Sequence, residues 1–211
     1  MQSPVLFTVN FRRCLLFILF LLLVQLSVLP VRADYYTFEK GGHNNYAVPQ
    51  EINNPQYFQY VYGILNRGEG IVDYYELKTA DTIADFHIEL MVQDKPGRRD
   101  FHPNLILVEQ HAARMIGKVP FDFPLTARGR VYEWRIGSEA KRVDETIWEN
   151  LLVGHSLVRD LVPPRLVIAV FDPEHKGGRY VLRLGAIEPV ETLSYKLGQL
   201  SALLRVKFDL Y

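Results

Sequence analysis

Cysteine is almost missing from this chain: the one present, Cys14, lies near the amino terminus. No disulfide, thiol nucleophile or thiolate metal site can form after it. A surplus of basic charge is missing as well. The 24 Lys and Arg residues are balanced by 24 Asp and Glu, so nothing is left over to neutralise phosphates, and nucleic acid is excluded as a partner. Paired histidines are absent. His43, His87, His102, His111, His155 and His175 stand at none of the HxH or HExxH spacings that put two imidazoles on one metal, and scattered surface histidines are expected. Compact acidic runs are absent too. Asp94, Asp100, Asp122, Asp172 and Glu174 are spread along the chain, whereas calcium takes about six to eight oxygens, usually from one tight run. These absences predict no metal site and no cofactor.

Catalytic signatures are also lacking. Gly154-His155-Ser156 sets a serine beside a histidine, but neighbours on an extended chain point to opposite faces and cannot act as nucleophile and base. No G-x-S-x-G elbow occurs. Gly68-Glu69-Gly70 and Gly177-Gly178 precede no helix, so they are turn glycines and not a phosphate cradle. No catalytic residue is expected, and the chain reads as a non-enzyme.

What is present begins with an export signature. Arg12 and Arg13 precede an unbroken apolar run from Leu15 to Val24, which Gln25–Leu29 continues. Pro30-Val31-Arg32-Ala33 then leads into Asp34. Basic, apolar and small-residue parts in this order form a secretory signal, with Val31 and Ala33 at the positions a signal peptidase inspects. The apolar part, about 15 residues, falls short of the roughly 20 that span a bilayer. Residues 1–33 are therefore expected to be a cleaved signal, with an anchor through residues 15–29 as the alternative. Removing Arg12, Arg13 and Arg32 leaves 178 residues with 21 basic and 24 acidic side chains, a net charge of −3. That length suits one domain with a real core, secreted, periplasmic or on the cell surface.

Residues 34–56 read as a loop-like arm, with turn clusters at Gly41–Asn45 and Asn53-Asn54-Pro55. From residue 57 the period changes to two. Strands are predicted over 57–65, 71–78, 86–92, 104–108, 130–136, 166–171 and 179–184, with 147–153 ambiguous between strand and helix. Phe86, Ile88, Leu90 and Val92 alternate with polar or softer residues, whereas Leu166–Phe171 is apolar throughout, as a strand covered on both faces requires. The Asp172–Gly178 connection is rich in turn formers, so the strands on either side of it are expected to pair as an antiparallel hairpin. About eight short strands over residues 57–190 predict an all-β fold, a two-sheet antiparallel β-sandwich of jelly-roll type. Residues 191–211 predict a short amphipathic helix, with Leu193, Leu197, Leu200 and Leu204 on one stripe and Lys196, Arg205 and Lys207 elsewhere.

Two stretches resemble a known family. Asp73-Tyr74-Tyr75-Glu76-Leu77 is similar to the D-x-Y-x-apolar strand of prepeptidase C-terminal-like domains. Val167–Phe171 followed by Gly178–Leu184 resembles that family's closing pair of strands. Glu51-Ile52-Asn53-Asn54-Pro55 and Gly178–Gly185 further resemble the entry and exit of small secreted jelly-roll sandwiches of unknown function. The likeness covers roughly residues 51–190. Where the family often has an acid-x-acid-Leu strand, this chain has His102-Pro103-Asn104-Leu105, and a glycine entry is replaced by Pro164-Arg165-Leu166. The resemblance therefore implies a non-catalytic secreted sandwich and brings no calcium site with it.

Aromatic side chains are the one surplus. On an alternating strand Phe58, Tyr60 and Tyr62 share a face, and Tyr74 follows on the next strand. They are candidates either for packing or for a ligand-binding surface toward sugar rings or protein. The sequence thus predicts an exported accessory module for binding or structure, with a protein or carbohydrate partner and peripheral membrane contact through residues 191–211. A membrane-associated subunit of an envelope complex, or a hydrolase with a dispersed site, is the alternative.

Overall fold

The computed structural model describes residues 35–39, 41–69, 71–109, 115–117, 119, 121, 129–134, 137, 139–162, 165–190 and 193–210. The expected signal segment, residues 1–33, and Asp122 lie outside them. Two sheets of six strands each account for most of these residues. In chain order the strands are β1 Tyr35–Phe38, β2 Gln50–Ile52, β3 Gln59–Leu65, β4 Val72–Lys78, β5 Ile83–Gln93, β6 Asn104–Glu109, β7 Met115–Ile116, β8 Gly129–Tyr132, β9 Ala140–Asp144, β10 Glu149–Leu161, β11 Arg165–Phe171 and β12 Gly178–Gly185. One helix, α1, follows over Leu193–Lys207.

The first sheet runs β1-β3-β12-β5-β10-β9 and the second β2-β4-β11-β6-β8-β7. The expected sandwich is therefore present, though its sheets are mixed. The pairs β1–β3, β2–β4 and β7–β8 are parallel. The arm read as loop supplies two of these edge strands. Its turn clusters hide short extended pieces that add to β3 and β4 by main-chain bonding, which a side-chain period of two cannot report over three or four residues.

The expected hairpin does not form. β11 lies in the second sheet between β4 and β6, and β12 lies in the first between β3 and β5. The Asp172 carboxylate accepts the N–H groups of Glu174 (2.9 Å) and Gly177 (2.8 Å), and Gly177 takes φ +69°. This folds the link into a compact crossing from one sheet to the other. The turn-forming residues are used as expected, but to change layers.

Between the sheets lies the main core. It includes Val61, Leu65, Tyr75, Leu77, Phe86, Ile88, Leu90, Leu105, Leu107, Ile168, Val170, Tyr180, Leu182 and Leu184. The outer face of the first sheet carries a second cluster built on Tyr60, Tyr62, Met91, Leu151 and Val181, which α1 covers with Val206. The outer face of the second sheet carries a third, built on Val72, Tyr74, Ile106, Val167, Ala169 and Phe171. Burial on both faces explains the unbroken apolar run of β11.

Helix α1 forms where its periodicity predicts, but turned over. Tyr195, Gln199, Ala202 and Val206 face the sheet, while Leu197, Leu200 and Leu204 are 56%, 40% and 48% exposed. The buried set is displaced by two positions, about 200° around the helix. Small Ala202 lets the helix approach closely, Gln199 donates to the Tyr195 hydroxyl at 2.7 Å, and Tyr195 sits edge-on to Tyr35 at 5.5 Å.

Leu182 is fully buried in the main core. Leu182→Ala is expected to cost about 2–5 kcal/mol through lost burial and the cavity left behind. Urea denaturation measures this; a loss below about 1 kcal/mol would show that the two sheets close up around the smaller side chain.

Candidate functional site

The edge strands β1 and β2 lie on the open side of the sandwich, and residues 39–49 join them. Glu39 extends β1 by one rung: its N–H donates to the Tyr62 carbonyl at 2.9 Å. Its side chain then takes the place of a further rung, Oε2 accepting the Ile64 N–H at 2.7 Å. Four residues on, the His43 carbonyl accepts the Tyr74 N–H at 3.0 Å, which draws the imidazole inward to 3% exposure. The expectation of scattered surface histidines fails here. Asp73 sits on β4 in phase with the core residues Tyr75 and Leu77, and is likewise buried.

These three side chains converge. His43 Nε2 is 3.7 Å from Glu39 Oε1 and 3.9 Å from Asp73 Oδ1. Both distances are too long for direct hydrogen bonds, and neither imidazole nitrogen has a hydrogen-bond partner. The other oxygen of each acid is tied down. Asp73 Oδ2 accepts from the Tyr180 hydroxyl at 2.7 Å, and the Tyr180 oxygen lies 2.5 Å from the Tyr75 hydroxyl. Tyr75 thus donates to Tyr180 and Tyr180 to Asp73. Gly63 makes room for this relay, because a Cβ there would overlap Cζ and Oη of Tyr180.

Burial pushes the Asp73 carboxyl up to about 7; Glu39 adds to the rise and the Tyr180 hydrogen bond opposes it. Burial first, then the neighbouring acid, holds the Tyr75 hydroxyl well above its ordinary range; for Tyr180 burial again leads, with Tyr75 and Asp73 adding to it. A weakly acidic carboxyl, an imidazole and a second carboxylate can share a proton or enclose a cation. The local spacing of histidines and acids could not reveal this set, because Asp73 lies far along the chain from Glu39 and His43. The available signal was the phase of Asp73, an acid at an inward position of a strand.

Glu39 also lines an open cleft of about 410 Å³ between β1 and β2. Its lining includes Tyr35, Tyr36, Gln50, Asn53 and Asn54, with Arg205 of α1 at one side. Tyr36 is fixed by its hydroxyl, which donates to Asp144 at 3.1 Å. Arg205 lies over the Phe38 ring at 5.0 Å.

The aromatic candidates lie elsewhere, and their rings are covered. Phe58, Tyr60, Tyr62 and Tyr74 are at most 7% exposed. Arg183 caps Phe58 at 3.8 Å, and Tyr36 and Phe38 stack on Tyr60 and Tyr62, each at 5.6 Å. Tyr46 meets Tyr74 edge-on at 5.7 Å. The arm and the long arginine side chains cover what the strand pattern alone left open. Asp94 pairs with Arg99 at 2.6 Å, and Asp172 is used within its own loop. His155 faces the Tyr132 ring at 4.9 Å, while Ser156 donates to Glu89 at 3.2 Å on the other side of the strand.

No family model matches the chain, and no curated protein matches it. Among solved structures it is similar to the pre-peptidase C-terminal domain of a collagenase from Bacillus anthracis, at 10% identity and a TM-score of 0.35 over 74% of this chain and 99% of that one. It is also similar to CorA, a surface-associated copper-binding protein important in copper acquisition by Methylomicrobium album BG8, at 8% identity and a TM-score of 0.30 over 74% and 99% of the two chains.

The folded chain keeps the Asp73 proton over a range in which the unfolded chain has released it. The stability this gives is complete below about pH 4 and is lost as pH rises toward about 7. At about 1.4 kcal/mol for each pH unit, the loss amounts to a few kcal/mol. Asp73→Asn removes it. In chelator-treated protein, urea denaturation is expected to show the variant gaining on the parent between pH 4 and pH 7; a gap that stays constant would mean that Asp73 ionises like a surface acid.

Proposed function

We propose that this protein is an exported, non-catalytic β-sandwich accessory module of the cell envelope or extracellular space. Its ligand seat is the cleft between β1 and β2, and the ligand class is a hydroxyl-rich chain such as a carbohydrate. The cleft is the observation that carries this reading. Its volume, about 410 Å³, falls in the range of small-molecule sites. Phenol rings beside planar amides and a carboxylate suit a ligand with apolar ring faces and many hydroxyls. The sugar-binding role assigned from sequence to the buried strand aromatics passes to Tyr35, which lines the cleft and is 39% exposed. The opposed placement of His155 and Ser156 supports the non-catalytic half of the proposal.

A second reading is favoured by α1. Its outward face carries Leu197, Leu200 and Leu204, and Phe208 and Leu210 just beyond it are 68% and 65% exposed. Lys196, Arg205 and Lys207 sit beside this apolar stripe. Lys207 is held by the Trp148 carbonyl at 2.7 Å and by Glu149 at 3.3 Å. Apolar and basic side chains together suit the surface of an anionic membrane. No helix among the described residues is long and apolar enough to cross one.

Binding of soluble bacterial and plant oligosaccharides, measured by glycan array and calorimetry, tests the first reading. Tyr35→Ala and Gln50→Ala are each expected to weaken binding at least tenfold with little change in melting temperature. Binding that survives both changes would remove the cleft from the account. For the second reading, Leu197→Ser, Leu200→Ser and Leu204→Ser combined are expected to abolish co-sedimentation with phosphatidylglycerol vesicles. Stability should change little, because the three side chains are exposed. Vesicle binding equal to that of the parent would discard the helix as a membrane contact.

A further inference from the structure

His43 has two buried ring nitrogens with no hydrogen-bond partner, and burying a polar group without a partner destabilises a fold. It is aimed at two acids that are themselves largely buried, with side chains 16% and 6% exposed for Glu39 and Asp73. Among the described residues, the ion pairs of Glu39 and Asp73 both run to this imidazole. We propose that His43 Nε2, Glu39 Oε1 and Asp73 Oδ1 form a binding site for a divalent transition-metal ion of the zinc class. The inference stands apart from the carbohydrate reading and shares only Glu39 with it.

Several features of the cluster favour a metal. One ligand atom from each residue lies within 4.8 Å of the others, and His43 Nε2 stands 3.7 and 3.9 Å from Glu39 Oε1 and Asp73 Oδ1. Tetrahedral ligands at the usual bond length of about 2.0–2.2 Å stand about 3.4 Å apart, so the imidazole needs to approach each acid by only about half an ångström, across gaps too long for hydrogen bonds. The second oxygen of each acid is oriented by a fixed donor, the Ile64 N–H on one and the Tyr180 hydroxyl on the other. This outer layer characteristically holds metal ligands in place. The donor set of one imidazole and two carboxylates suits zinc and its neighbours, while calcium would need more oxygens than are gathered here. Glu39 borders the cleft, so an ion could enter there and keep a coordination position open.

The test uses the purified protein after chelator treatment, titrated with Zn2+ by calorimetry and with Co2+ by visible absorption. One equivalent of each is expected to bind, with Co2+ showing the ligand-field spectrum of a protein site. His43→Ala and Glu39→Gln are each expected to lower Zn2+ affinity at least tenfold, and Tyr180→Phe to lower it by a smaller factor. Gln50→Ala, which alters the cleft but not the cluster, is expected to leave Zn2+ binding unchanged whatever it does to sugar binding. Circular dichroism confirms that each variant is folded; should His43→Ala fail to fold, Glu39→Gln, whose side chain is partly exposed, carries the test. Absence of stoichiometric binding, or binding equal in the parent and these variants, overturns the proposal.

Discussion

A two-layer sandwich has four sheet faces, and the core between the layers covers only two of them. The structure of this chain follows from the need to cover the other two. The first sheet is covered on its outside by α1 and the aromatic side chains of β1, and the second by Tyr46 and its neighbours. Each covering element is short and drawn from the ends or links of the chain, and each has been shaped by the strand it covers. Helix α1 turns Ala202 and Val206 toward the sheet because a small residue and a branched one let it lie close; its leucines, although more apolar, are left outside.

Covering a sheet on both faces forces polar groups inside. The outer face of the first sheet solves this with Glu89, which accepts from Arg142 at 2.9 Å, Ser156 at 3.2 Å and Arg183 at 3.3 Å. Glu89 thus meets two arginines. The open edge near β1 and β2 is different. Two acids approach one imidazole, the phenol relay satisfies half of one acid, and the imidazole is left unbonded. A buried acid satisfied from one side only is an unusual thing for a fold to keep for stability alone.

The strand content was legible because alternation survives wherever one face is softer than the other, as with Phe86, Ile88, Leu90 and Val92 against His87, Glu89 and Met91. Strand partners were not legible. The Asp172–Gly178 segment says that the chain turns, and nothing in the pattern of the flanking strands tells a hairpin from a change of layer. In the helix, a period of 3.6 marks two stripes, and the more apolar one was read as the docking face. Glu39 and His43 fell in a segment with no period at all. Asp73 alone carried a visible anomaly, an acid where the strand's inward phase called for an apolar residue.

The placement of the last two strands has a kinetic consequence. In the first sheet β12 is the piece between β1-β3 and β5-β10-β9; in the second β11 is the piece between β2-β4 and β6-β8-β7. Both halves of both sheets are therefore held apart until residues 165–185 are available, and pairing so distant in sequence is slow to form. A chain made amino terminus first lacks the strand that joins the halves of each sheet until nearly all of it is made. Both layers are then completed by the same late stretch of chain, two adjacent strands that enter different sheets like paired keystones.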